Sequence, residues 1–124
     1  MAITVSGFTS TALTHKLIME DGADQNRVIS FNGNVTGGSG RLYSIYVSNG
    51  VAAGMFLKVY FDAAAASSDD PDMKIELAAS AAEEIIMPNG IPFTELSFFS
   101  TKSGDTSSSQ TAPGGVVTVN LVTS

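Results

Sequence analysis

GRLYSIYVSNGVAAGMFLKVYFD, residues Gly40 to Asp62, holds two runs of strand-forming residues. The first runs from Arg41 to Ser48 and the second from Met55 to Asp62. Asn49, Gly50 and Gly54 lie between them, and such residues tolerate the backbone angles of a chain reversal. Two β-rich runs joined by a short glycine-containing loop are expected to form a hairpin. Alternation along the second run sends Met55, Leu57, Val59 and Phe61 inward. Phe56, Lys58, Tyr60 and Asp62 then share the other face, a charged face with aromatics set into it. Such a face suits a partner surface or a loop packed over it.

Outward from this stretch, further short runs alternate in the same way. Thr14 to Glu20 reads as a possible strand, and Arg27 to Thr36 as a better one, with Ile29, Phe31 and Val35 on one face. Gly33 interrupts that face and marks a candidate bulge. Met73 to Ala79 puts Met73, Ile75, Leu77 and Ala79 inside and Lys74, Glu76 and Ala78 outside. Glu84 to Met87 is a short strand, expected to end at the turn signal Pro88-Asn89-Gly90. Thr94 to Ser100 carries bulk on both faces (Leu96 and Phe98 against Phe99), as expected of a strand covered on both sides or lying at an interface. Val117, Val119 and Leu121 line the inner face of a last strand over Val116 to Val122. Gly37 to Gly40 reads as a connector, and Ala63 to Asp72 as a surface loop, because its alanines are too few for a helix and a cluster of Asp and Pro follows.

Seven or eight short strands between polar turns, with no sustained helical period, give an all-β class. The expected architecture is an antiparallel β-sandwich, with eight strands a jelly roll and with seven an immunoglobulin-like sandwich. The tryptophan and cysteines of true immunoglobulin domains are absent, which favours the jelly roll. We divide the chain into an N-terminal arm with possible first strands, residues 1–26, and a sandwich domain, residues 27–124. The 124-residue length is that of one domain.

Composition narrows function. The net charge is −6, and the six Lys and Arg residues are scattered singly. A dedicated nucleic-acid binder clusters its cations against phosphates, so none is expected. No apolar run approaches a membrane span, and the start carries no pattern of a secretory signal. Without cysteine there is no disulfide framework, zinc–thiolate site or cysteine nucleophile. His15 is the sole histidine and reads as structural or surface rather than catalytic. Asp21-Gly22-Ala23-Asp24 and Asp69-Asp70-Pro71-Asp72 are acidic turns without the spacing of an EF-hand loop. Glu83 and Glu84, adjacent on a strand, point to opposite faces and cannot act as a glycosidase pair. No catalytic residue, cofactor or metal site is expected.

One stretch of motifs carries a resemblance. Gly40 to Asn49 (GRLYSIYVSN), Phe56 to Ala64 (FLKVYFDAA), Pro88 to Phe93 (PNGIPF), Leu96-Ser97-Phe98 and Gly115 to Val122 (GVVTVNLV) together resemble a recurring small structural domain of phage virions. The sequence departs from that pattern in Phe61, placed between Tyr60 and Asp62, and in the alanine run that follows. The resemblance implies a β-sandwich or jelly-roll virion protein without enzymatic activity. Its expected role is a capsid cement or decoration protein on the capsid surface, assembled in the host cytoplasm. Its expected partners are the major capsid protein or other virion proteins and further copies of itself, a trimer being favoured. The Ser/Thr-rich arm and the loop from Thr101 to Gly115 are then expected to order on neighbours. Tyr46, Phe56, Tyr60 and Phe99, read as exposed aromatics, are the candidate interface anchors; each has packing beneath a loop as its plain alternative. A tail, neck or fibre component, or a carbohydrate-binding sandwich module using Tyr43, Tyr46 or Tyr60, is the alternative reading.

Overall fold

A computed structural model describes residues 13–19 by their backbone, and residues 33–66, 68–102, 113 and 115–124 in full. Among the described residues seven strands run in chain order: β1 (Leu13–Met19), β2 (Gly40–Asn49), β3 (Met55–Tyr60), β4 (Met73–Leu77), β5 (Ala82–Phe93), β6 (Ser97–Thr101) and β7 (Val117–Thr123). They form a four-stranded sheet in the order β1-β7-β2-β5 and a three-stranded sheet in the order β4-β3-β6. Every pairing is antiparallel. The described residues form an all-β sandwich.

The core lies between the sheets, where alternation puts it. Leu42, Ile45 and Val47 of β2, Met55, Leu57 and Val59 of β3, and Val117, Val119 and Leu121 of β7 are all buried there. Ile75 and Leu77 of β4, with Phe98 of β6, close it from the smaller sheet. The inner faces expected of β4 and β7 hold within the strands, as do Met55, Leu57 and Val59 on β3; Ala79, expected inside, lies beyond β4 and is exposed, and Phe61 follows β3 and is only partly buried against the core.

The expected hairpin over Gly40 to Asp62 is not formed. β2 pairs with β5 and β7, whereas β3 pairs with β4 and β6. The two runs face each other across the core instead of lying side by side. Residues 50–54 form a bridge, and opposed sheets stand only about 10 Å apart, a span that a few extended residues cover. Asn49 holds this crossing. Its buried side-chain amide donates to the carbonyls of Ala53 (2.8 Å) and Ala78 (3.0 Å), and its Oδ1 accepts the N–H of Val51 (3.0 Å). Replacing Asn49 by Ala leaves three backbone groups without these partners. The expected cost is about 3 kcal/mol at roughly 1 kcal/mol per bond, read from the urea midpoint. Asn49→Asp should cost as much or more, since it sets an oxygen against two carbonyl oxygens.

Three further expectations are revised. Pro88-Asn89-Gly90 does not end a strand: β5 runs through it to Phe93. The register jumps from Ser44↔Ile86 to Leu42↔Ile91, so residues 87–90 bulge out opposite Tyr43. This is tolerated because β5 is an edge strand among the described strands, where proline's missing N–H breaks no ladder bond. Gly90 takes φ +71°, and a Cβ there would lie 2.8 Å from the Tyr43 ring. The Arg41 guanidinium donates to the carbonyls of Asn89 and Gly90 at 3.2 and 3.3 Å. The same irregularity shifts β2 by one residue, which turns Ile45 and Val47 inward together with Leu42.

Second, the end of the strand expected over Arg27–Thr36 is a turn at residues 33–36, with Asn34 at φ 46° and the Gly37 N–H bonded to its carbonyl. Residues 27–32 lie outside the described part, as do residues 1–12, Asp21 to Asp24 and most of the loop from Thr101 to Gly115. Third, Phe61 leaves β3. Its N–H donates to the Asp72 carboxylate at 2.8 Å, and its carbonyl accepts the Thr94 N–H at 2.9 Å. The possible strand over Thr14 to Glu20 is formed as β1, paired along its length with β7.

Candidate interaction surfaces

The four candidate aromatics fall on two separate faces. Tyr46 stands on the outer face of the four-stranded sheet, in one cross-strand row with Asn120 of β7 and Glu84 of β5. Small or uncharged residues flank that row: Thr118, Ser48 and Ala82 on one side, Val122, Ser44 and Ile86 on the other. Tyr46 is 38% exposed and Ile86 66% exposed. The sequence reading missed Ile86. The signal was there, since alternation with Ile85 sends one of the two outward.

Phe56, Tyr60 and Phe99 gather on the outer face of the three-stranded sheet. The register sets Lys58 beside Phe99, Phe56 beside Thr101, and Tyr60 beside Ser97. The rings of Tyr60 and Phe99 stack at 6.0 Å with 13° between their planes. The Lys58 ammonium lies 5.4 Å from the centre of the Phe99 ring, and that of Lys74 lies 5.9 Å from the Phe56 ring. Both distances fall within cation–π range. Lys58 and Lys74 are register neighbours, and each places its ammonium over a different ring.

The expected exposure of this face is corrected. Lys58 and Phe99 are 0% exposed and Tyr60 is 2% exposed, while Phe56 is half-buried. Alternation tells which side of a strand a residue takes. It does not tell whether that side is wet. β6 is buried on both faces, in keeping with the bulk on both sides of Thr94 to Ser100. Tyr60 and Phe99 are therefore packed inside the chain, and Tyr46 is the candidate that stands in the open.

The loop of residues 61–72 closes over the end of Tyr60, whose hydroxyl donates to the Asp69 carbonyl at 2.9 Å. Desolvation first, then the charges of Asp69, Asp70 and Asp72, push its phenol from an ordinary value of 10.0 up to about 12. The acidic turn is built by its own carboxylates. Asp69 Oδ2 accepts the Ala66 N–H at 2.8 Å, and Asp72 Oδ2 accepts that of Phe61. Across the loop, Glu95 accepts the Ala64 N–H at 3.2 Å. Among the described residues, no group of three or more His, Asp or Glu is placed to hold a metal ion.

Tyr60 should shape the alkaline limb of stability. Below its unfolded value the phenol is protonated in both states, and pH has no leverage through it. Between 10 and 12 the unfolded tyrosine releases its proton while the folded one keeps it. The unfolded state then binds fewer protons, so stability falls as pH rises. Urea midpoints measured from pH 8 to pH 11 should decline above pH 10, and Tyr60→Phe should flatten that decline. At neutral pH the same variant should lose about 1 kcal/mol with the hydrogen bond to Asp69.

No family model matches the chain, and neither a curated protein nor a solved structure matches it significantly.

Proposed function

We propose that the chain is a non-enzymatic structural protein of a phage virion, a capsid cement protein that binds and stabilises the shell of major capsid protein. The observation that supports this best is the strand order. An eight-stranded jelly roll, a fold of viral capsid domains, orders its sheets 1-8-3-6 and 2-7-4-5. The described order β1-β7-β2-β5 and β4-β3-β6 follows that pattern with the second strand left out. The strand expected over Arg27–Thr36 stands in chain order where that second strand belongs; its first part lies outside the described residues. A fold alone hosts many functions. The motifs from Gly40 to Val122 that resemble phage virion domains supply the step from fold to virion. On this reading the flat outer face around Tyr46 and Ile86 contacts the shell.

Tyr46 also favours a second reading, a carbohydrate-binding module. An exposed ring between Asn120 and Glu84 offers a sugar both a stacking surface and hydrogen-bonding groups. One experiment separates the readings. Antibodies raised against the chain are applied to intact virions of the phage that encodes it, followed by gold labelling and electron microscopy. Label distributed over the head is expected. Label confined to tail, neck or fibres would move the protein there, and virions without label would end the structural reading. A Tyr46→Ala variant that loses binding on a glycan array would support the sugar-binding reading.

A further inference from the structure

The four-stranded sheet ends in two edges of opposite character. Among the described strands β5 pairs with β2 alone, and Ala82, Glu83, Glu84 and Ile86 along it are exposed. β1 pairs with β7 alone among the described strands. The edge segment 82–87, AEEIIM, is acidic without a cation, whereas β1, LTHKLIM, carries Lys16 and no acid. The register strings one row across the whole sheet: Lys16↔Asn120, Asn120↔Tyr46 and Tyr46↔Glu84. A basic residue stands at one end of that row and an acidic one at the other.

Strand direction fits the same partner. Four strands alternating in direction leave β1 and β5 antiparallel to each other. A second copy that continues the sheet in the same sense therefore brings its β1 antiparallel to β5, without inverting the molecule. We propose that β5 is an assembly edge whose occupant is β1 of a second copy, with Glu84 meeting Lys16 of that copy. Charges on an edge strand discourage indiscriminate pairing. Glu83 and Glu84 repel a second β5 edge in this way and admit an edge that carries lysine. Joining two different edges is a head-to-tail contact, which forms a ring where the rotation closes. This deepens the expectation, drawn from the sequence, that the chain associates with further copies of itself, and it stands on the register rather than on the virion reading.

The test is the mass of the full chain by sedimentation equilibrium and light scattering over a concentration series. Wild type should exceed the 12.8 kDa monomer. Glu84→Lys, on an exposed side chain, should weaken self-association by about tenfold by turning an attraction into a repulsion. Lys16→Glu should do the same, and the double variant should recover the wild-type constant. A wild type that stays monomeric up to about 1 mM overturns the proposal. So does a Glu84→Lys variant that associates as well as wild type; one that associates more tightly would point to two β5 edges paired about a two-fold axis. Head labelling with a monomeric chain would sink this interface alone, whereas assembly without virion label would sink the virion reading alone.

Discussion

Phe98→Ala is expected to lower the stability of the isolated chain by about 3–5 kcal/mol, a large part of the total for a domain this size. Phe98 is fully buried on the inner face of β6, in the row facing Val59 of β3. Its ring fills the core beside Leu57, Val59 and Leu96, on the sheet with fewer described strands. Deleting it removes apolar burial and leaves a cavity that two hydrogen-bonded sheets cannot close, since relaxation would have to break ladder bonds. Phe98→Leu keeps most of the volume and should cost less than half as much. Urea or thermal unfolding followed by circular dichroism measures both. A Phe98→Ala loss below about 1 kcal/mol, the size of an ordinary surface change, would show that this position is not the packed centre described above.

Lys58→Glu is expected to prevent stable folding at 25 °C. Position 58 has no exposure at all, on the central strand of its sheet. The wild-type ammonium faces the electron-rich surface of the Phe99 ring. A carboxylate in the same place would meet that surface with the wrong sign, and burying a charge without a matched partner costs several kcal/mol. Lys58→Met is the informative companion. It retains the length and apolar stem, so it should keep the fold while losing at least the ring interaction, typically about 1–2 kcal/mol when desolvated. Soluble expression and the unfolding midpoint decide the matter. A Lys58→Glu chain as stable as wild type would mean that the side chain reaches water and that the outer face of β3 is open.

These two positions also separate what could be read early from what could not. Alternation alone sets Phe98 on one side of its strand and Phe99 on the other, as the structure has them. Alternation likewise sets Lys58 on the side opposite Leu57 and Val59, but it does not specify the surroundings of that side. A lysine on a strand is ordinarily wet. Here its stem is enclosed and its head lies over a ring donated by β6, 41 positions further along the chain. No local pattern encodes such a neighbour. Of the interface candidates, Tyr46 stayed exposed and Tyr60 and Phe99 did not, for the same reason.

Sequence by itself placed β2, β3, β4 and β7 and showed which of the residues within β3, β4 and β7 face the core, because a pleated strand alternates with period two whatever it pairs with; it did not give the extent of β5 or the turn at residues 33–36. It also determined the all-β class, since no stretch repeats at helical spacing. Tertiary structure alone decided the partners. The loop between β2 and β3 permits either a hairpin or a crossing, and its own residues do not choose. The crossing is held by Asn49 reaching the carbonyl of Ala78, a group that only the folded chain brings near. The bulge in β5 was likewise settled at a distance, by Arg41 and Tyr43 of β2 packing against Gly90. Pairing is a contest among all strands for edges and for the core, so it is decided by the whole chain at once.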